Sequence, residues 1–91
     1  MFRFAADTTP EQVEHMADGL RLLPGQVAEV RAFTIGRDLG LRETNWDYAV
    51  VADFDDVEGW KVYAADAVHQ QVIAERITPI ITERTSVQFE W

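Results

Sequence analysis

The chain has 91 residues, 47% of them apolar and 26% charged, which is enough for one domain with one modest core. Eight Lys and Arg against sixteen Asp and Glu leave a net charge of −8, which argues against a nucleic-acid partner bound through clustered cations and against an acidic membrane surface. The absence of Cys excludes a disulfide framework, a thiolate nucleophile and a Cys-ligated zinc site.

The N-terminus, Met1-Phe2-Arg3-Phe4-Ala5-Ala6-Asp7, has no long apolar stretch of the kind a secretory signal needs. The longest apolar run, Tyr48 to Ala52, falls far short of the roughly 20 residues that span a bilayer. These features predict a soluble, cytoplasmic protein made of a single domain over residues 1–91.

Phe2 and Phe4 alternate with Arg3 and predict a short first strand. Thr9, Pro10 and Gln12 then have the spacing of a capping box with proline at the first helical position. Val13, Met16, Ala17 and Leu20 recur at helical spacing as one buried stripe. His15 lies about 200° around from Val13, on the solvent side. Pro24-Gly25 is the expected helix stop. Residues 26–36 read as a strand whose apolar phase switches between Val30, Ala32 and Phe33, Ile35, which predicts a bulge or burial on both faces. Arg37 to Asn45 is polar, contains Gly40, and reads as a loop.

Residues 46–54 form the clearest strand. Trp46, Tyr48, Val50, Ala52 and Phe54 share one face, and Asp47, Ala49, Val51 and Asp53 the other. Asp55, with Glu58 three residues on, predicts the start of a second helix carrying Val57, Trp60, Ala64 and Val68. The stripe slips after Asp66 to His69, Val72, Ile73 and Ile77, which predicts a helix break with Asp66 capping the next segment. Thr78-Pro79 ends or kinks that segment. Val87, Phe89 and Trp91 alternate with Gln88 and Glu90 and predict a last strand.

The order β-α-β-β-α-β predicts an α+β sandwich with helices on one face of an antiparallel sheet. The back of such a sheet should be polar, yet the 46–54 strand is apolar at the centre of both faces. A second copy packed sheet on sheet, in a two-fold homodimer, is the simplest cover.

The block Trp46-Asp47-Tyr48-Ala49-Val50-Val51-Ala52-Asp53-Phe54 and the following Trp60-Lys61-Val62-Tyr63-Ala64-Ala65-Asp66-Ala67-Val68-His69 resemble the stress-responsive A/B barrel (Dabb) family. Tyr63 and His69 stand at the Tyr and last His of that family's Tyr-x-x-His-Pro-x-His motif, while Asp66 and Ala67 replace its His-Pro. Gly36, Ile77-Thr78-Pro79 and Val87-Gln88-Phe89-Glu90 extend the likeness over nearly the whole chain. The resemblance implies a ferredoxin-like βαββαβ sandwich that dimerises into an α+β barrel. In the family's cyclase branch the Tyr and last His flank a pocket as acid and base. This chain differs from the family in its short first strand, which lacks the His often found there, and from the cyclase branch in Tyr48, which stands where the branch has another His.

His69 is the only His on an apolar stripe, and an imidazole there suits proton transfer. Tyr63, across the predicted break, would stabilise an oxyanion in an enolisation or cyclisation. The alternative is a packed core His and a packing Tyr. Trp46, Tyr48, Phe54 and Trp60 are candidates to line a small hydrophobic pocket, although their spacing also fits plain core packing. Arg37 and Arg42 could hold an anion or simply face water. Two His without spaced carboxylates give no metal site, and no cofactor is expected. Three functions follow, in order of expectation. The first is a homodimeric module of unassigned biochemical function that binds a small hydrophobic or aromatic ligand. The second is a cofactor-free polyketide cyclase or isomerase using His69 and Tyr63. The third, on fold analogy alone, is a heme-free monooxygenase.

Overall fold

The first helix starts where the capping box places it. In the computed structural model, which describes residues 1–91, Thr9 Oγ1 accepts a hydrogen bond from the Gln12 backbone N–H and Gln12 Oε1 accepts one from the Thr9 N–H. The helix, α1 (Pro10–Gln26), buries Val13, Met16, Ala17 and Leu20 as their spacing requires, and adds Leu23 one turn later. Pro24 does not stop it. Lacking an N–H, Pro24 forgoes only one bond in the last turn, and the Val27 N–H closes the end on the Leu23 carbonyl.

Four strands follow the order β2-β3-β1-β4 and pair antiparallel throughout. They are β1 (Phe2–Phe4), β2 (Val30–Arg37), β3 (Tyr48–Phe54) and β4 (Ile81–Arg84). The register of β2 against β3 shifts between Val30 and Ala32. This is the bulge that the phase switch predicted, and it turns Phe33 and Ile35 toward the helices. Because β1 is short, Phe2 opposite Tyr48 is its only register pair with β3. The Asp47 carboxylate takes up the Phe4 N–H at 2.8 Å where the ladder ends.

Helices α2 (Val57–Ala65) and α3 (Ala67–Val72) lead into a π-helical turn at Ile73–Ile77 and a 3₁₀ turn at Thr78–Ile80. The core is one layer between these helices and one sheet face. Val13, Met16, Leu20 and Leu23 of α1 meet Tyr48 of β3 and Val72, Ile77 and Ile80 of the C-terminal helical run. Phe2, Phe4, Phe33, Ile35, Val50 and Ile81 pack against them from the sheet.

Strand alternation puts Arg3, Ala32, Thr34, Gly36, Ala49, Val51, Asp53 and Glu83 on the opposite face. The register confirms the grouping, with Thr34 opposite Val51, Gly36 opposite Ala49 and Arg3 opposite Glu83. Val51, at the middle of that face, is 59% exposed. The α+β class and the two-layer arrangement therefore agree with the sequence reading.

Several boundaries do not. The largest correction is the last strand, which lies at Ile81–Arg84 instead of Val87–Trp91. Thr8 Oγ1 and the Ala5 N–H both bond to the Ile80 carbonyl and fix that point beside the end of β1. The chain is therefore already in the sheet before the alternating segment begins. Residues 26–29 belong to the end of α1 and its exit, so β2 starts at Val30 and not at 26. Trp46 and Asp47 precede β3. Asp56 caps α2 in place of Asp55, because its carboxylate is the one that reaches the Gly59 N–H, while Asp55 pairs with Arg31. Val57, expected in the buried stripe, is exposed.

Candidate functional site

Asp66 builds the candidate site. It ends α2, donating its N–H to the Tyr63 carbonyl, and starts α3, its carboxylate accepting from the His69 N–H at 3.0 Å. As helix cap on both sides, it makes the predicted break and folds the end of α2 back over the first turn of α3. Tyr63 and His69 are brought ring on ring, with centroids 4.0 Å apart and planes inclined by 29°. Phe54, the last residue of β3, packs against Tyr63 with centroids 5.2 Å apart and planes tilted by 50°. The result is a cluster of three half-buried rings at the junction of β3, α2 and α3.

The bend does what the sequence suggested, but the contact is face to face. His69 Nδ1 is sealed from solvent and has no hydrogen-bond partner. Burial lowers the His69 pKa below its ordinary 6.5, although the nearby carbonyls of Ala64 and Tyr63 and the Asp66 carboxylate partly restore the charged form. Burial also raises the Tyr63 hydroxyl above its usual 10.0. At neutral pH the pair is thus a protonated phenol stacked on a neutral imidazole.

This has a measurable consequence. A pKa lowered on folding means that the unfolded chain takes up the proton first. The His69 contribution to stability is complete above about pH 6.5 and falls as the pH drops through that value. A proton NMR titration is expected to place the His69 midpoint below 6.5. A His69 midpoint at or above 6.5 contradicts the burial described.

The candidate ligand-lining aromatics do not converge. Trp46 and Tyr48 line a cleft of about 520 Å³ with Met1, Gly36, Leu39 and Leu41. Trp46 also carries the Arg3 guanidinium 4.4 Å above its ring. Phe54 packs tilted against Tyr63, and Trp60 is half-buried on α2 and lines neither cleft. A second cleft of about 290 Å³ is polar, lined by Glu29, Arg31, Asp55, Asp56 and Glu58 with Gly59 and Val62. Neither cleft is lined by Tyr63 or His69. Arg37 lies at the larger cleft beside Asp38, whereas Arg42 does not line it.

Two features escaped the sequence reading. Phe54 packs tilted against Tyr63, which its position at the end of the strand before α2 could have indicated. Leu39 and Leu41 are exposed apolar residues around Gly40, the one residue with positive φ, at 77°. A Leu-Gly-Leu inside an otherwise polar loop was the available signal.

The profile of the stress responsive A/B barrel domain matches residues 1–91. A dimeric ferredoxin-like protein of unknown function from Thermobifida fusca is similar at 37% identity, with TM-score 0.91 over 100% of this chain and 85% of that one. A dimeric ferredoxin-like protein of unknown function from Bacteroides fragilis shares 20% identity and a TM-score of 0.82, over 99% of this chain and 89% of its own. A protein from Arabidopsis thaliana shares 19% identity and a TM-score of 0.75, over 97% and 93%. The last two likenesses concern the fold alone. No curated protein matches the chain, and no helix is long and apolar enough to cross a membrane.

Proposed function

The chain belongs to the stress-responsive A/B barrel domain family, and from that premise we propose that it works as a homodimeric module that holds a small apolar or aromatic ligand beside the Tyr63–His69 stack. The observation that carries the dimer is the bare sheet face. Its centre, Thr34, Gly36, Ala49 and Val51, is small and uncharged, Arg3 and Glu83 pair at 3.6 Å, Asp53 lies at one end opposite Ala32, and the helices all lie on the other side. Such a centre lets two sheets approach there to about 10 Å without burying an unpaired charge. The dimeric state of the Thermobifida relative supports the same reading.

Isotope-filtered NMR on a mixture of labelled and unlabelled chains tests this arrangement. Contacts from the Val51 methyls to the unlabelled chain are expected. Their absence, with intermolecular contacts elsewhere, removes the sheet face as the interface.

The ligand reading rests on His69 Nδ1, since a buried polar atom without a partner costs about 1–3 kcal/mol that a ligand's hydrogen bond would recover. A second reading uses the same stack for acid–base chemistry. Neutral His69 is in the state needed to accept a proton, and Tyr63 in the state needed to stabilise an oxyanion. Thermal-shift screening with small aromatic phenols and ketones separates the possibilities. Binding that His69→Gln abolishes supports the site, and turnover of a polyketone lost in the same variant favours the enzyme. Ligands that shift unmodified protein and His69→Gln equally place binding elsewhere. A cytoplasmic site of action is part of the same proposal, and cell fractionation checks it.

A further inference from the structure

We infer that the cleft of about 520 Å³ beside the loop between β2 and β3 binds a small anionic amphiphile, a carboxylate on an aliphatic chain. Arg37 meets the carboxylate, and Leu39, Leu41, Met1 and Trp46 cover the chain. The cleft shares no residue with the Phe54–Tyr63–His69 cluster, so this site does not rest on the ligand reading given above.

The loop that walls the cleft is tied down by its own polar groups. The Asp38 N–H donates to the Asp47 carbonyl at 2.9 Å and closes the base of the loop. Asp38 Oδ2 accepts from the Gly40 N–H at 2.9 Å, and Oδ1 accepts from Asn45 Nδ2 at 3.0 Å. Gly40 turns between them at φ 77°, a conformation that side-chain-bearing residues rarely adopt. This turn holds Leu39 and Leu41 at the cleft, 84% and 79% exposed, and neither packs in the core of its own chain. A defined turn that keeps two Leu side chains in water beside a cleft provides an apolar wall for a ligand.

Charge selects the ligand. Arg37 is cationic at every accessible pH. Unlike Arg3, Arg21, Arg31 and Lys61, it has no carboxylate within ion-pair distance. Asp38 is the one acid that lines the cleft, and both of its oxygens are engaged by the loop. Arg3 adds a second guanidinium at the wall, 4.4 Å above the Trp46 ring and donating to the Thr44 carbonyl at 3.4 Å. In a chain of net charge −8, an apolar cleft whose unpaired lining charge is a guanidinium suits an anion and not an amine. A carboxylate matches the planar fork of Arg37. A polyanion does not fit, because Arg37 is the only Lys or Arg in the lining. The volume falls within the roughly 300–1,000 Å³ of small-molecule sites.

Titration of the nitrogen-15-labelled chain with octanoate tests the site by amide shifts. Saturable shifts are expected at Gly36, Leu39, Gly40 and Leu41. Shifts centred on Tyr63 and His69, or spread over the exposed apolar side chains elsewhere, overturn it. Octanoate is expected to bind the unmodified chain at least about tenfold more tightly than octan-1-ol, as a charge-assisted hydrogen bond gives. Equal affinities overturn the anion preference.

Arg37, Leu39 and Leu41 are all exposed, so their replacement leaves the fold intact, which the amide spectrum outside the loop checks. Arg37→Gln is expected to weaken octanoate by about tenfold or more and octan-1-ol hardly at all. Leu39→Ser/Leu41→Ser is expected to weaken both by about tenfold. Octanoate binding that survives both variants overturns the cleft. His69→Gln is expected to leave octanoate binding unchanged, and loss of binding there moves the ligand to the Tyr63–His69 stack and overturns this site.

Discussion

Val51→Asp is expected to turn the protein into a monomer at micromolar concentration with its fold intact. Within one chain Val51 is 59% exposed, so an Asp there is hydrated and costs the monomer only the lower strand preference of Asp, on the order of 1 kcal/mol or less. Across a two-fold sheet-to-sheet contact the same change acts twice. It buries two carboxylates of like sign against Ala49, Gly36 and Thr34, none of which carries a compensating charge. An unpaired charge in such a layer costs several kcal/mol, or two or more decades in dissociation constant. Size-exclusion chromatography with light scattering reads the outcome. A dimeric Val51→Asp places the interface on another surface.

Leu23→Ala is expected to be the most destabilising single change on α1, at roughly 2–5 kcal/mol. Leu23 is 0% exposed and is packed with Met16 and Leu20 in the layer that joins α1 to Tyr48 and to the C-terminal helical run. Pro24 follows it directly, and the Val27 N–H closes on its carbonyl, so the backbone there has little freedom to collapse into the cavity. For a domain of this size the loss should lower the melting temperature by about ten degrees or more. The measurement belongs in the Val51→Asp background, where unfolding does not depend on protein concentration. A drop of less than a few degrees shows that neighbouring side chains refill the space.

The parts of the fold legible in the sequence were those set by local chemistry. The capping box at Thr9–Gln12 and the Val13–Leu20 stripe required no distant partner. The Asp66 break could be read because a carboxylate cap and a phase slip coincide there. The bulge in β2 was visible as a change of phase between Ala32 and Phe33.

The errors lie where a distant contact decides. Both the Ile81–Arg84 segment and the Val87–Trp91 segment can form a strand. The latter alternates more clearly, but hydrogen bonds from Ala5 and Thr8 to the Ile80 carbonyl bring the former into the sheet. Asp55 and Asp56 are adjacent and chemically equal as caps, and Arg31 of β2 draws one of them away.

The candidate site was legible in one half. The helix break brings Tyr63 and His69 together as their spacing suggested. The four aromatics Trp46, Tyr48, Phe54 and Trp60 shared a pattern but not a place. Trp46 leaves the strand before β3 begins and meets Arg3, Tyr48 enters the core, and Phe54 packs against Tyr63. Period-two alternation fixes the face of a residue and says nothing about which end of the sheet it occupies.

Barrel closure requires the bare sheet face to meet its own copy. Sedimentation equilibrium of the unmodified chain, from nanomolar to high micromolar concentration, addresses that point most directly. A single species of twice the 10.4 kDa chain mass, dissociating only on dilution, is the predicted result. A species of 10.4 kDa that persists through the micromolar range would contradict it.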